Sequence, residues 1–128
     1  MTNTITEAEF LRFYDANPDL SGNGFKHRDI TEEKHLLYRK FLKDSFDQIE
    51  KCIEYFQSEE FKNRKYKRSY MHSYGLKHKV ERWYEDKKLA CYVSNGSLIA
   101  CAMILNWDIK RKRNSPNAYV RPHYRTLH

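Results

Sequence analysis

Apolar positions along the chain fall into blocks of different period, and each block predicts an element. Phe10, Leu11, Phe13 and Tyr14 give residues 7–16 one apolar helical face. Thr6 and Glu9 form a T-x-x-E capping box ahead of it, and Asn17-Pro18-Asp19 ends it. Residues 1–5 are expected to fray. Residues 20–28 contain Ser21-Gly22-Asn23-Gly24 and read as a flexible loop, because their glycine spacing fits no phosphate-binding fingerprint. Beyond it, Tyr38, Leu42, Ile49, Ile53 and Phe56 recur at three and four, with Phe41 and Phe46 beside them. No Gly or Pro interrupts, so the pattern predicts one long amphipathic helix over residues 32–61, capped by Asp29 or Thr31. Glu32 and Glu33 suit its dipole.

Residues 69–86 read as a further helix through Tyr70, Tyr74, Leu76, Val80, Trp83 and Tyr84. A polar turn over residues 85–88 and a short strand over 89–93 follow. Residues 92–107 are the most apolar run of the chain; from Leu98 to Trp107 only Asn106 is polar. A helix of that composition is buried over most of its surface, and Ser94 or Asn95 supplies its cap. The period then changes. Residues 108–113 suit an exposed strand, 114–117 a turn and 118–120 a returning strand, giving a hairpin with a basic tip.

These elements predict a mainly α fold with a small β-hairpin. A helix-turn-helix-like C-terminal unit, with the hairpin as its wing, packs on the long N-terminal helix. At 128 residues the chain is a single domain: an acidic helical scaffold over 1–61, a basic unit over 62–120 and a basic tail over 121–128.

Charge sharpens that division. The chain carries +7 overall, but residues 1–60 hold 8 Lys/Arg against 13 Asp/Glu, while residues 61–128 hold 16 against 4. The halves therefore carry −5 and +12. Such segregation points to a polyanionic partner for the C-terminal half. A content of 15% aromatic residues adds stacking platforms. Cys52, Cys91 and Cys101 show no C-x-x-C spacing, and their odd number with no secretory signal fits reduced thiols in a cytoplasmic protein. His72 and His78 lack metal-ligand spacing, so no metal or cofactor is expected. No apolar run reaches the roughly 18 residues that span a bilayer, so no membrane partner is expected.

The candidate contacts lie in four places. Lys62, Arg64, Lys65, Lys67 and Arg68 are interleaved with Tyr66, and they are followed by Tyr70. Basic side chains neutralise phosphates and tyrosines stack on bases. Lys77, Lys79 and Arg82 give the 69–86 helix a charged face. Ser94 and Asn95 form the only polar turn of the apolar helix; free N–H groups there suit a phosphate, and an Asn there suits an adenine edge. Lys110, Arg111, Lys112 and Arg113 would form the wing tip. For catalysis the nearest constellation is His78, Glu81 and Glu85 on one helical face, which is read as solvated surface, so no catalytic residue is assigned.

The motifs Ser73-Tyr74-Gly75-Leu76-Lys77-His78, Tyr92-Val93-Ser94-Asn95-Gly96 and Asn117-Ala118-Tyr119 resemble a family of small proteins carried by bacterial phages, plasmids and integrating elements. These share S-Y-x-L-K-H, Y-[IV]-S-N-G-x-[LFI]-I and a terminal N-A-Y, and a similar pattern occurs in domains appended to phage and plasmid replication proteins. The resemblance covers residues 69–120. It departs where the family's apolar helix ends in G-[FY] and this chain has Asn106-Trp107. It implies a phage or mobile-element protein acting in the cytoplasm of a bacterial host.

Together these readings give a non-enzymatic nucleic-acid-binding protein. The competing expectation is a stoichiometric anti-defence inhibitor, anti-CRISPR-like, that binds a host nucleoprotein effector complex.

Overall fold

The apolar run becomes the axis on which everything else packs. A computed structural model describes residues 5–62 and 69–122. In chain order the elements are α1 (Glu7–Ala16), β1 (Leu20–Ser21), β2 (Gly24–Phe25), α2 (Glu32–Lys43), α3 (Phe46–Phe56), α4 (Glu59–Lys62), β3 (Met71–His72), α5 (Ser73–Glu85), α6 (Asn95–Ile104), β4 (Asp108–Arg111) and β5 (Ala118–Arg121). Helices predominate, beside two small antiparallel sheets: β1 with β2, and a three-stranded sheet in the order β3-β5-β4.

α6 is buried from Asn95 through Ala102 and packs on α3, α5 and strands of both sheets. Ser94 caps it, accepting from the Ser97 N–H. Fully buried side chains such as Leu98 and Ile99 each stabilise the fold by roughly 1.5–3 kcal/mol. The helix ends in a Schellman turn: Trp107 N–H donates to the Ala102 carbonyl and Asn106 N–H to that of Met103. Asn106 takes φ 60°, a left-handed conformation that glycine adopts most readily. Asparagine tolerates it better than most residues. Trp107 then lies 4.5 Å from the Phe56 ring and stacks on Phe61 at 5.8 Å, joining α6 to α3 and α4.

The expected long helix over residues 32–61 is three helices. At the first break the Ser45 hydroxyl donates to the Leu42 carbonyl and accepts from the Ser97 hydroxyl of α6. At the second, Ser58 donates to the Tyr55 carbonyl and accepts from the Phe61 N–H, capping α4. Serine hydroxyls compete with the helical ladder, and here they win because α6 and the core lie where a straight helix would not reach. Of the two candidate caps for α2, Thr31 is the one used, through the Lys34 N–H. The capping box at Thr6 and Glu9 forms as the sequence indicates.

Within the expected loop over residues 20–28, residues 20–25 form the β1–β2 hairpin, with Leu20, Ser21 and Phe25 buried, and residues 26–28 join no strand. The backbone of this hairpin meets α6 and the β4–β5 turn directly. Gly96 N–H donates to the Gly22 carbonyl, and a Cβ at Gly96 would fall 1.7 Å from the Ser21 oxygen. Gly24 has φ 121°, and a Cβ there would fall 2.1 Å from the Pro116 oxygen. α1 is tied on by Arg39, whose guanidinium donates to the carbonyls of Tyr14, Asn17 and Leu20 and lies 3.6 Å over the Tyr14 ring.

α5 starts at Ser73, later than expected, because Met71 and His72 pair with Val120 and Tyr119. Residues 89–93 join no sheet. The hairpin of β4 and β5 matches the sequence pattern, with Ile109 opposite Val120 and Lys110 opposite Tyr119.

Candidate nucleic-acid interface

Most of the polar residues in the three sequence motifs hold elements together. Lys77 is only 7% exposed. Its ammonium lies 3.2 Å from Glu81 Oε2, which also accepts from the Val93 N–H, while Glu81 Oε1 sits 3.0 Å from His78 Nδ1. The ammonium is flanked by the Tyr74 and Tyr92 rings at 5.5 and 5.3 Å. One carboxylate thus fastens α5 to the segment leading into α6. Ser73 accepts from the Ala118 N–H, joining α5 to β5. Of His78, Glu81 and Glu85, read from the sequence as solvated surface, Glu81 is instead largely buried and taken by three partners, while Glu85 is exposed.

Ser94 and Asn95 are buried and engaged. The Ser94 hydroxyl donates to Ser97, and the Ser94 N–H donates to Gln48. Asn95 Nδ2 donates to the Asn23 carbonyl and to Asn117 Oδ1, both at 3.0 Å. The first N–H groups of α6 go to Gly22 and to the Ser94 hydroxyl. Asn95 Oδ1 has no hydrogen-bond partner among the described residues, but burial of the turn keeps it from an incoming phosphate or adenine edge.

The sheet and hairpin carry the open charge. Period-2 alternation turns Met71, Ile109, Ala118 and Val120 to the core. Tyr70, His72, Asp108, Lys110, Tyr119 and Arg121 take the opposite face. There the His72 and Tyr119 rings meet edge-to-face at 5.4 Å, and the Arg121 guanidinium covers the Tyr70 ring at 4.5 Å. Asp108 accepts from Arg121 at 2.8 Å, which holds that guanidinium firmly protonated. Lys110, Lys112 and Arg113 are exposed and, among the described residues, contact no carboxylate. Arg111 is also exposed but engaged, over the Phe25 ring at 4.2 Å, onto the Lys26 carbonyl at 3.2 Å and 3.8 Å from Asp19.

The remaining expected contacts are dispersed. Lys79 and Arg82 line a cleft of about 120 Å³ together with Glu60 and Asp86. Lys62 closes α4 and is half-buried. Arg64, Lys65, Lys67 and Arg68 lie outside the described residues.

A second surface was not legible as a site. Leu36, Leu37 and Phe41 of α2 are exposed, Phe41 by 56%. Phe41 borders a groove of about 500 Å³ with Tyr38, Asp44, Gln48, Tyr92 and Ser94. The helical spacing of Leu37 and Phe41 in the sequence gives the only advance sign of it. Burial and the neighbouring Cys101 hold the Cys52 thiol well above its usual range, and burial raises that of Cys91. Among the described residues no group of three His, Cys, Asp or Glu is placed to hold a metal ion, and no helix is long and apolar enough to cross a membrane. No protein-family model, curated protein or solved structure matches the chain.

Proposed function

We propose that the chain is a non-enzymatic nucleic-acid-binding protein that engages phosphates through the β4–β5 hairpin. The observation carrying this reading is the exposure of Lys110, Lys112 and Arg113 without carboxylate partners, beside Lys77, Arg111 and Arg121, which the fold engages. In this reading α5, α6 and the hairpin act as a helix-turn-helix-like unit whose wing makes the contact. Burial of the α6 first turn leaves backbone phosphates as the main target, so binding is largely independent of base sequence. A fluorescence-anisotropy titration tests it against duplex DNA, single-stranded DNA and structured RNA. Three phosphate contacts predict a loss of affinity of about 20- to 40-fold between about 50 and 200 mM salt. Salt-insensitive binding, or none, would overturn it.

The α2 surface favours a second reading, an anti-defence inhibitor that docks on a host nucleoprotein effector. Exposed Leu36, Leu37 and Phe41 suit a protein partner rather than a phosphate. This reading predicts tight binding to an effector complex and weak binding to the free nucleic acid, with Phe41→Glu abolishing the former.

A further inference from the structure

We infer that the outer face of the β3-β5-β4 sheet is a platform for the unstacked bases of a single-stranded nucleic acid. This rests on the nucleic-acid reading and names its substrate class.

The face combines three features. It carries the Tyr70, His72 and Tyr119 rings on neighbouring strands, since His72 is the register partner of Tyr119. Tyr70 is 42% exposed and has the Arg121 guanidinium over one face of its ring. It carries cations at both ends of the row: Lys110 opposite Tyr119 on β4, and Arg121 over Tyr70. Aromatic rings give base-stacking surface, and an arginine plane lying on one adds a further flat cation.

The charge is polarised. Asp108 lies beside Arg121 and neutralises that end, at 2.8 Å. At the other end of β4, Lys110 leads into exposed Lys112 and Arg113, which contact no carboxylate among the described residues. A bound strand is therefore expected to run its phosphates along the hairpin tip and turn its bases onto Tyr119 and His72. A duplex keeps its base faces stacked inside and gains only from the tip, so the rings discriminate in favour of unpaired strands.

Beside α5 the exposed rings of Tyr74 and Tyr92 stand in a different setting. Tyr74 lies edge-on to His78 at 4.7 Å, and both Tyr74 and Tyr92 face the buried Lys77 ammonium. That ion pair leaves no cation over for a phosphate.

The test compares an oligothymidine of about 12 nucleotides with an abasic oligomer of the same length and charge, by anisotropy at one salt concentration. The platform predicts that the thymidine strand binds about tenfold more tightly for each stacked base, with the same salt slope for both. Tyr119→Leu keeps the strand's packing but removes the ring, and should reduce that ratio while leaving the abasic affinity unchanged. Lys112→Ala/Arg113→Ala should weaken both ligands alike. Equal binding of the two ligands by the wild-type protein would overturn the platform while leaving phosphate binding standing. Binding of neither would instead overturn the nucleic-acid reading itself.

Discussion

The basic residues of α5 and those of the β4–β5 hairpin look alike in the sequence and have opposite roles. Lys77 is buried against Glu81, and Lys79 and Arg82 share a cleft with two carboxylates. Lys110, Lys112 and Arg113 stand in solvent and form no ion pair with a carboxylate among the described residues. A buried charge must be paired to be tolerated, so Lys77 is committed to the fold, whereas Lys79 is half-buried and Arg82 exposed. An exposed charge on a short hairpin contributes little to stability and remains available to a polyanion. Local density of Lys and Arg therefore does not locate a binding surface; the distribution of carboxylates around it does.

That comparison breaks most severely at Gly96. Gly96→Ala places a methyl group on the Ser21 carbonyl, so the backbone of the β1–β2 hairpin must shift. A loss of at least about 3 kcal/mol in urea denaturation is expected, which a domain of this size barely survives. Next is the ion pair. Glu81→Gln leaves Lys77 buried without a counter-charge and should cost about 3 kcal/mol, while Lys77→Met in the same chain restores part of it. A double-mutant cycle that finds no coupling would show that the pair is solvent-screened rather than structural. A smaller effect belongs to the helix end. Asn106→Ala forces a Cβ-bearing residue without a helpful side chain into φ 60° and should cost about 1 kcal/mol, whereas Asn106→Gly should be neutral or slightly stabilising. Thermal unfolding reads both.

Elements with local signals were legible. The capping box fixes the start of α1, unbroken apolarity marks α6, and the switch to period 2 marks the β4–β5 hairpin. What failed depended on distant partners. Ser45 breaks the expected long helix because it meets Ser97, a residue far along the chain. The segment from Leu20 to Phe25 looks flexible from its glycines, yet those glycines permit close packing on α6 and Pro116. β3 is two residues long and exists only through β5, so no period announces it. Ser94 and Asn95 read as an exposed polar turn, because their partners Gln48, Asn23 and Asn117 come from three separate segments. For the same reason the sheet's outer face was invisible: it joins residues of β3, β4 and β5 that share no local pattern.

The most direct test sets the two basic clusters against each other in one protein. Lys110→Ala/Lys112→Ala/Arg113→Ala is titrated with single-stranded DNA by anisotropy, alongside a urea unfolding curve. The account predicts stability within about 0.5 kcal/mol of wild type and an affinity lower by one to two orders of magnitude at about 50 mM salt. Unchanged affinity in a variant that is still folded would contradict it, because the hairpin cations would then have no part in binding.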